Sequence, residues 1–319
     1  MNWLGAEIDG PLVLTRAIHF AASTATAGVL IFRAFVAEPS LRPSPEGYAV
    51  VQSRIAALAW VGLAITVATG LVWLLLQTLS ITGLSSGEAI RSGAMLVVVN
   101  ETQFGLVSEI RAVLAVMLAP CLIFSRFILS RWLALLAALG LMAAIAWTGH
   151  AGSTLGQLGN LHLAADVLHL GAAAAWIGGL VGLSILFAVG RRRPALEWEP
   201  LQLDAVRRFS TLGIISVATL IASGIVNAWI LVASFRGLLV TNYGQLLLLK
   251  VALFAIMVIF ATVNRLLLTP RLALAAKGTA EPALATLTRN TLIEIALGLV
   301  IFAIVGVLGT LHPAIHLVK

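Results

Sequence analysis

Eight long apolar stretches, at residues 11–37, 50–79, 104–129, 131–149, 161–189, 209–235, 243–268 and 288–311, alternate with short polar connections along the chain. Each reaches the roughly 20 residues that an α-helix needs to cross the hydrocarbon core of a bilayer. Helices are the spanning form expected, because each satisfies its own backbone hydrogen bonds within the segment. None of the stretches shows the ten-residue alternation of a membrane barrel. The pattern therefore predicts an all-α, polytopic membrane helix bundle with about eight transmembrane helices.

The connections are expected to differ in form. Segment 80–103 is rich in Gly and Ser and reads as a loop with a short surface helix over 88–99. Segment 191–208 reads as the main loop of the opposite side. It divides an N-terminal five-helix unit, 1–190, from a C-terminal three-helix unit, 209–319.

Composition agrees with a lipid environment: 60% of the 319 residues are hydrophobic and 10% charged, with a mean hydropathy of +1.04. Soluble domains carry roughly 25% charged residues. The net charge of +7 does not mark a nucleic-acid surface, because the basic residues sit at the ends of apolar runs. Fourteen of the 20 fall in one set of connections: Arg33, Arg42 and Arg54; Arg126 and Arg131; Arg191, Arg192, Arg193, Arg207 and Arg208; and Arg265, Arg271, Lys277 and Arg289. Arg16, Arg91, Arg111, Arg236, Lys250 and Lys319 make up the other set. By the positive-inside rule the richer set faces the cytoplasm, which predicts both termini on the outer side. Residues 1–10 hold Glu7 and Asp9 and no Lys or Arg, so no cleavable signal peptide is expected there. Cys121 is the sole cysteine and has no internal disulfide partner.

With that orientation all six histidines fall at the outer face: His19, His150, His162, His169, His312 and His316. The sharpest signal is His162-x3-Asp166-x2-His169 on the fifth helix. At about 100° per residue the three project from one stripe, offset by about 40° and −20° from His162. Two imidazoles and a carboxylate at adjoining turns suit Cu(II), Zn(II) or Fe(II). Asp166 would either bind the metal or orient a histidine through its second N–H. The turn Trp147-Thr148-Gly149-His150-Ala151-Gly152 is expected to aim His150 back toward the fifth helix. His19, with Arg16 and Ser23 on its own face, is a further candidate from the first helix. Weaker candidates for a ligand or a transit role are His312 and His316 in the tail, and the i, i+4 pair Met117 and Cys121 around Pro120.

Other polar residues expected inside the bundle are Asn227, Lys250, Asn264, Asn290 and Glu294, with Glu294 poised to pair with Arg208 or Arg265. Lys250 would snorkel to the outer interface. No G-x-x-x-x-G-K-[ST] motif occurs, so no ATP-driven pump is encoded, and no catalytic residues are expected.

Several segments taken in order resemble the CopD family of bacterial copper-resistance membrane proteins. In the N-terminal half they are TRAIHFAAS (15–23), WTGHA (147–151) and LHLAADVLHLGAAAAWIGGL (161–180). In the C-terminal unit they are RRFSTLGIISVATLIASGIVNAW (207–229), TNYGQLLLLKVALF (241–254), NRLLLTP (264–270) and LGTLHP (308–313). The resemblance implies an eight-helix protein of the bacterial inner membrane that handles copper from its periplasmic side, beside a small periplasmic CopC-like copper-binding protein. It carries the family's markers onto His19, His150, His162, Asp166 and His169, and onto Tyr243, Gly244, Lys250 and Asn264, whose chemistry the sequence leaves open. His312 departs from the family pattern.

Three function classes follow. The first is a permease binding copper, in either oxidation state, at the His/Asp cluster and moving it inward. The second is a redox protein in which two histidines such as His19 and His169 ligate a haem or a copper. The third is a docking module with no metal of its own.

Overall fold

The computed structural model describes residues 9–232, 234–275 and 278–316, the last without its side chain. Glu7, Lys277, Lys319 and the side chain of His316 therefore lie outside the described residues.

Eight helices are long and apolar enough to span a membrane: α1 (Gly10–Ser40), α2 (Pro45–Thr82), α3 (Gln103–Ile123), α4 (Ile128–Thr148), α5 (Gly156–Gly190), α6 (Ala195–Val232), α7 (Asn242–Leu274) and α8 (Glu281–Leu308). No strand occurs among the described residues. Four of the eight starts carry a cap written in the sequence. The side chains of Asp9, Ser44, Thr102 and Thr241 accept from the backbone N–H of Leu12, Gly47, Gly105 and Gly244 at 3.0–3.3 Å, satisfying donors that a helix leaves open at its first turn. Gly83 closes α2 at φ +69°, a conformation that suits a residue without Cβ.

Two connections differ from the sequence pattern. Residues 86–101 form two short helices, Ser86–Arg91 and Ala94–Glu101, because Gly93 at φ +73° breaks what hydropathy reads as one. Residues 195–208, expected in a loop, are the opening turns of α6. Trp198, only 3% exposed, packs there beside Gly47 and Gly190, and burial of one helical face stabilises a segment too polar to register as a span. Glu199 of the same turns accepts from the backbone N–H of Gly278 (2.7 Å) and Ala280 (3.0 Å), placing a carboxylate at the start of α8.

The bundle is built around α1. Of its most apolar window 78% is buried, against 61% for α5 and 6% for α7, which puts α1 at the centre and α7 at the lipid-facing edge. α1 packs on α2, α4, α5 and α8. Its closest partner is α5, where Gly28 faces Gly178 and a Cβ on either would run into the other's backbone. Small residues at such crossings let helices approach where no water drives them together. A π-helical turn, Ala174–Gly178, shapes α5 at this crossing, and a second, Asn264–Leu268, lies in α7. The second precedes Pro270, which has no N–H to continue the ladder; the Asn264 carbonyl accepts from both the backbone N–H and the hydroxyl of Thr269, the latter at 2.8 Å.

The short connections 41–44, 124–127 and 191–194, with residues 278–280, gather at one end, the arginine-rich end. There Arg33, 2% exposed, donates to the Arg131 carbonyl (3.0 Å), and Arg131 bridges to Glu38 at 2.8 Å. The histidines lie toward the opposite end.

Candidate metal site

Three of the histidines are held by one device. His19 Nδ1 meets the Thr69 hydroxyl at 2.8 Å, His162 Nδ1 meets the Thr154 hydroxyl at 2.8 Å, and His169 Nδ1 meets the Ser223 hydroxyl at 3.0 Å. Each hydroxyl donates its own proton to a backbone carbonyl: Thr69 to Ile65 at 2.6 Å, Thr154 to His150 at 3.2 Å and Ser223 to Thr219 at 2.6 Å. With its proton committed, the hydroxyl oxygen accepts, so the ring donates from Nδ1–H and keeps its lone pair on Nε2. Fixing the tautomer through the distal nitrogen is how metal-binding imidazoles are commonly oriented.

The device operates in two junctions. In the first, between α5, α6 and α7, Asp166 and His169 both face α6. Asn227 Nδ2 donates to Asp166 Oδ1 at 3.3 Å, and Ser223, one turn away on α6, takes His169. The Asn227 carbonyl oxygen is buried with no hydrogen-bond partner. Lys250 of α7 lies near enough for its charge to act on Asp166 and His169. Gly224 leaves the His169 ring its space, with the ring carbon Cε1 3.6 Å from where a Cβ would stand. The junction thus holds one carboxylate, one imidazole and one unpartnered amide oxygen, with Lys250 the basic side chain acting on the first two among the described residues. These donors fit a cation.

In the second junction, between α1, α2 and α3, His19 is fully buried and its Nε2 accepts from the Arg111 guanidinium. Arg16 and Arg111 both stack on Trp73, with guanidinium carbons 5.0 and 5.4 Å from the ring centroid, and both are 7% exposed. Nε of each arginine is buried without a partner, and among the described residues neither is paired with a carboxylate. A cation at His19 would have to displace Arg111 from a site that already holds two positive charges.

The structure also separates residues that the sequence stripe brings together. Among the described residues no three His, Cys, Asp or Glu side chains converge closely enough to hold one metal ion. His162 lies toward the connection before α5, while Asp166 and His169 turn to α6, so one stripe serves two neighbours. His150 sits in a short helix, His150–Ser153. Its Nε2 donates to the Leu308 carbonyl of α8 at 3.3 Å, and its ring lies edge-on to Tyr243 at 6.0 Å. It thus reaches α7 and α8, and it also lies near enough to His162 of α5 to act on it. The hydrogen-bond partners of His19 and His169, the pair considered for a haem, belong to different junctions. Met117 is 48% exposed on the outside of α3, so it forms no central soft route with the partly buried Cys121. His312 is exposed after the end of α8, and the His316 side chain is outside the described residues.

Glu294 pairs with neither arginine expected for it. Arg208 bridges to Asp204 one turn away (2.7 Å) and Arg265 donates to Ser210 (2.7 Å). Glu294 Oε1 accepts from Asn264 at 2.9 Å, and Asn264 Oδ1 accepts from Asn290 at 2.7 Å. Thr69, Arg111, Thr154 and Ser223 carried no signal of a site role in the sequence. Only their helical neighbours in space mark them.

Comparison with known proteins gives two family matches. The model for copper resistance protein D matches residues 203–308, and the model for the copper resistance protein D-like N-terminal domain matches residues 7–160. Residues 161–202, which carry His162, Asp166 and His169, lie between the two. The inner membrane protein YebZ of Escherichia coli (strain K12) is 36% identical over 169 residues, 53% of this chain and 55% of YebZ. Copper resistance protein D of Pseudomonas syringae pv. tomato is 29% identical over 258 residues, 77% of this chain and 82% of that protein. The copper transport protein CutJ of Bacillus subtilis (strain 168) is 34% identical over 228 residues, 68% of this chain and 39% of CutJ. The chain thus spans about half the length of YebZ and less than half of CutJ. No solved structure matches.

Proposed function

The chain belongs to the copper resistance protein D family and is a multi-pass inner-membrane protein, and from that premise we propose that it binds copper within its histidine end and carries it toward the cytoplasm. The relatives named for copper resistance and copper transport support copper handling as the general role. The observation that carries the reading is the junction of Asp166, His169 and the orphaned Asn227 carbonyl around Lys250.

In this reading the histidine end faces the periplasm, as the distribution of arginines supports. A separate periplasmic protein of the CopC kind delivers the ion. His162 and His150, nearer the surface, receive it, and Asp166 and His169 take it one to two turns deeper. The nitrogen and oxygen donors suit Cu(II) better than Cu(I), which prefers sulfur. Lys250 holds the position of the ion when the junction is empty, and its ammonium swings away as the ion arrives. Asp166 therefore stays paired in both states, which limits the cost of a bare carboxylate at this depth. Inward movement is favoured by the membrane potential, by about 2.3 kcal/mol per charge per 100 mV. The N-terminal five helices and the C-terminal three act as two units that meet where α5 faces α6 and where α1 and α5 pack on α8.

Copper uptake into proteoliposomes tests the proposal. The wild type is expected to accumulate copper well above a His162→Ala/His169→Ala control, with bound metal in the purified protein falling in parallel. Equal uptake by the two would remove the transport reading, and no bound copper in the wild type would leave a docking role.

A further inference from the structure

A cavity of about 330 Å³ lies between α5, α6, α7 and α8, in the half of the bundle nearer the arginine-rich end. It is distinct from the histidine junctions, and the copper reading makes no use of it. Its walls are mostly apolar, with Trp176 and Phe209 supplying aromatic surface and Ser210, Thr262, Asn264, Arg265, Thr269 and Thr291 the polar edges beside Glu294. Glu294 lines it and is 1% exposed. One carboxyl oxygen is taken by Asn264, whereas Oε2 is buried and has no hydrogen-bond partner. The Trp176 indole lies beside this group but outside hydrogen-bonding geometry.

The cavity also communicates with the outer surface of the bundle. Ile214 and Ile221 of α6 line it and are 48% and 47% exposed. α6 and α7 touch over only a short stretch, so the window between them opens sideways, toward lipid. Its volume is within the range of small-molecule sites, roughly 300–1,000 Å³.

We propose that this cavity is a binding site for a membrane-dissolved phenol of the hydroquinone class. The molecule enters laterally between α6 and α7, packs its ring against Trp176 and Phe209, and donates a hydroxyl proton to Glu294 Oε2 in a hydrogen bond; any tail stays in the bilayer. An acyl chain would fill the same space but leave Oε2 unpartnered. Water would satisfy Oε2, and Thr291 and Asn264 offer it further partners, but it would leave the apolar surface of Trp176 and Phe209 unfilled.

The full chain in nanodiscs tests this with a decyl-substituted hydroquinone and its O,O-dimethyl ether, which has the same ring and tail but no donor. Saturable binding of the hydroquinone is expected, with the ether at least about tenfold weaker because the buried acceptor stays unpaired. Gly213 lines the cavity and a Cβ there meets nothing within 4 Å, so Gly213→Leu can leave the helix freely and place its branch in the cavity. That variant is expected to weaken hydroquinone binding about tenfold or more while its copper binding stays at the wild-type level, since it touches neither histidine junction. Equal binding of the two ligands, or undiminished hydroquinone binding by Gly213→Leu, would overturn the inference. Copper loading on the same samples reads the transport proposal separately, so either can fail alone.

Discussion

The junction at His19 and the junction at His169 use the same histidine device and end with opposite electrostatics. Each ring gives Nδ1–H to a hydroxyl whose own proton is committed to a carbonyl. At His169 the nearby charges are one carboxylate, Asp166, and one ammonium, Lys250. At His19 they are two guanidiniums, Arg16 and Arg111, stacked on Trp73, with Arg111 already on Nε2. Arginine stays charged under all ordinary conditions and is held by its stacking, whereas a lysine on a four-carbon stem can yield its place. A histidine's depth and tautomer therefore do not settle whether it can ligate a cation. The charges on the helices facing it do.

Variants can break or sharpen this contrast. The largest effect is expected from Asp166→Asn, which should weaken copper binding by about 100-fold in metal analysis of the purified protein, at the upper end for groups that bind or orient at a metal site. If His19→Ala were the damaging change and Asp166→Asn harmless, the two junctions would have to exchange roles. Removing the orienting hydroxyl comes next. Ser223→Ala should cost about tenfold in copper affinity, and Thr69→Ala, the same deletion in the other junction, should leave it unchanged. Equal losses in the two would mean that both rings ligate.

Removal of the built-in cations should have smaller effects, in the opposite direction. Lys250→Gln is expected to raise copper affinity about fivefold, measured by competition with a chelator, because about 1 kcal/mol of competing charge is gone. A decrease would show Lys250 to be needed for binding rather than displaced by it. The smallest effect is expected from Arg111→Gln. It frees His19 Nε2 and should add a second, weaker copper equivalent without altering the first. An unchanged stoichiometry would mean that Arg16 alone still repels the ion.

The family-like positions whose chemistry the sequence left open acquire partners in space. Tyr243 stands edge-on to His150, Lys250 faces Asp166, and Asn264 joins Asn290 to Glu294. At Gly244 a Cβ would strike the backbone of the short helix Phe235–Val240 just before α7. None of these pairings is legible along the chain, because the partners are 26 to 93 residues apart or come from separate helices. The first turns of α6, residues 195–208, read as a loop for a different reason. They carry Arg207, Arg208, Glu197 and Glu199 beside Trp198 and Val206, so a hydropathy window averages them to a loop although one face is buried.

By itself, the sequence determined the class of fold and the number of spans, since hydrocarbon thickness sets helix length and lipid leaves the backbone no other way to satisfy its hydrogen bonds. It also placed the histidines toward one end, because depth along a helix follows directly from residue number. Only the tertiary structure decided what each histidine faces. Helix rotation and neighbour choice depend on close contacts such as Gly28 against Gly178, which act between segments 150 residues apart. Those contacts turn His19 toward two arginines and His169 toward a serine beside an aspartate.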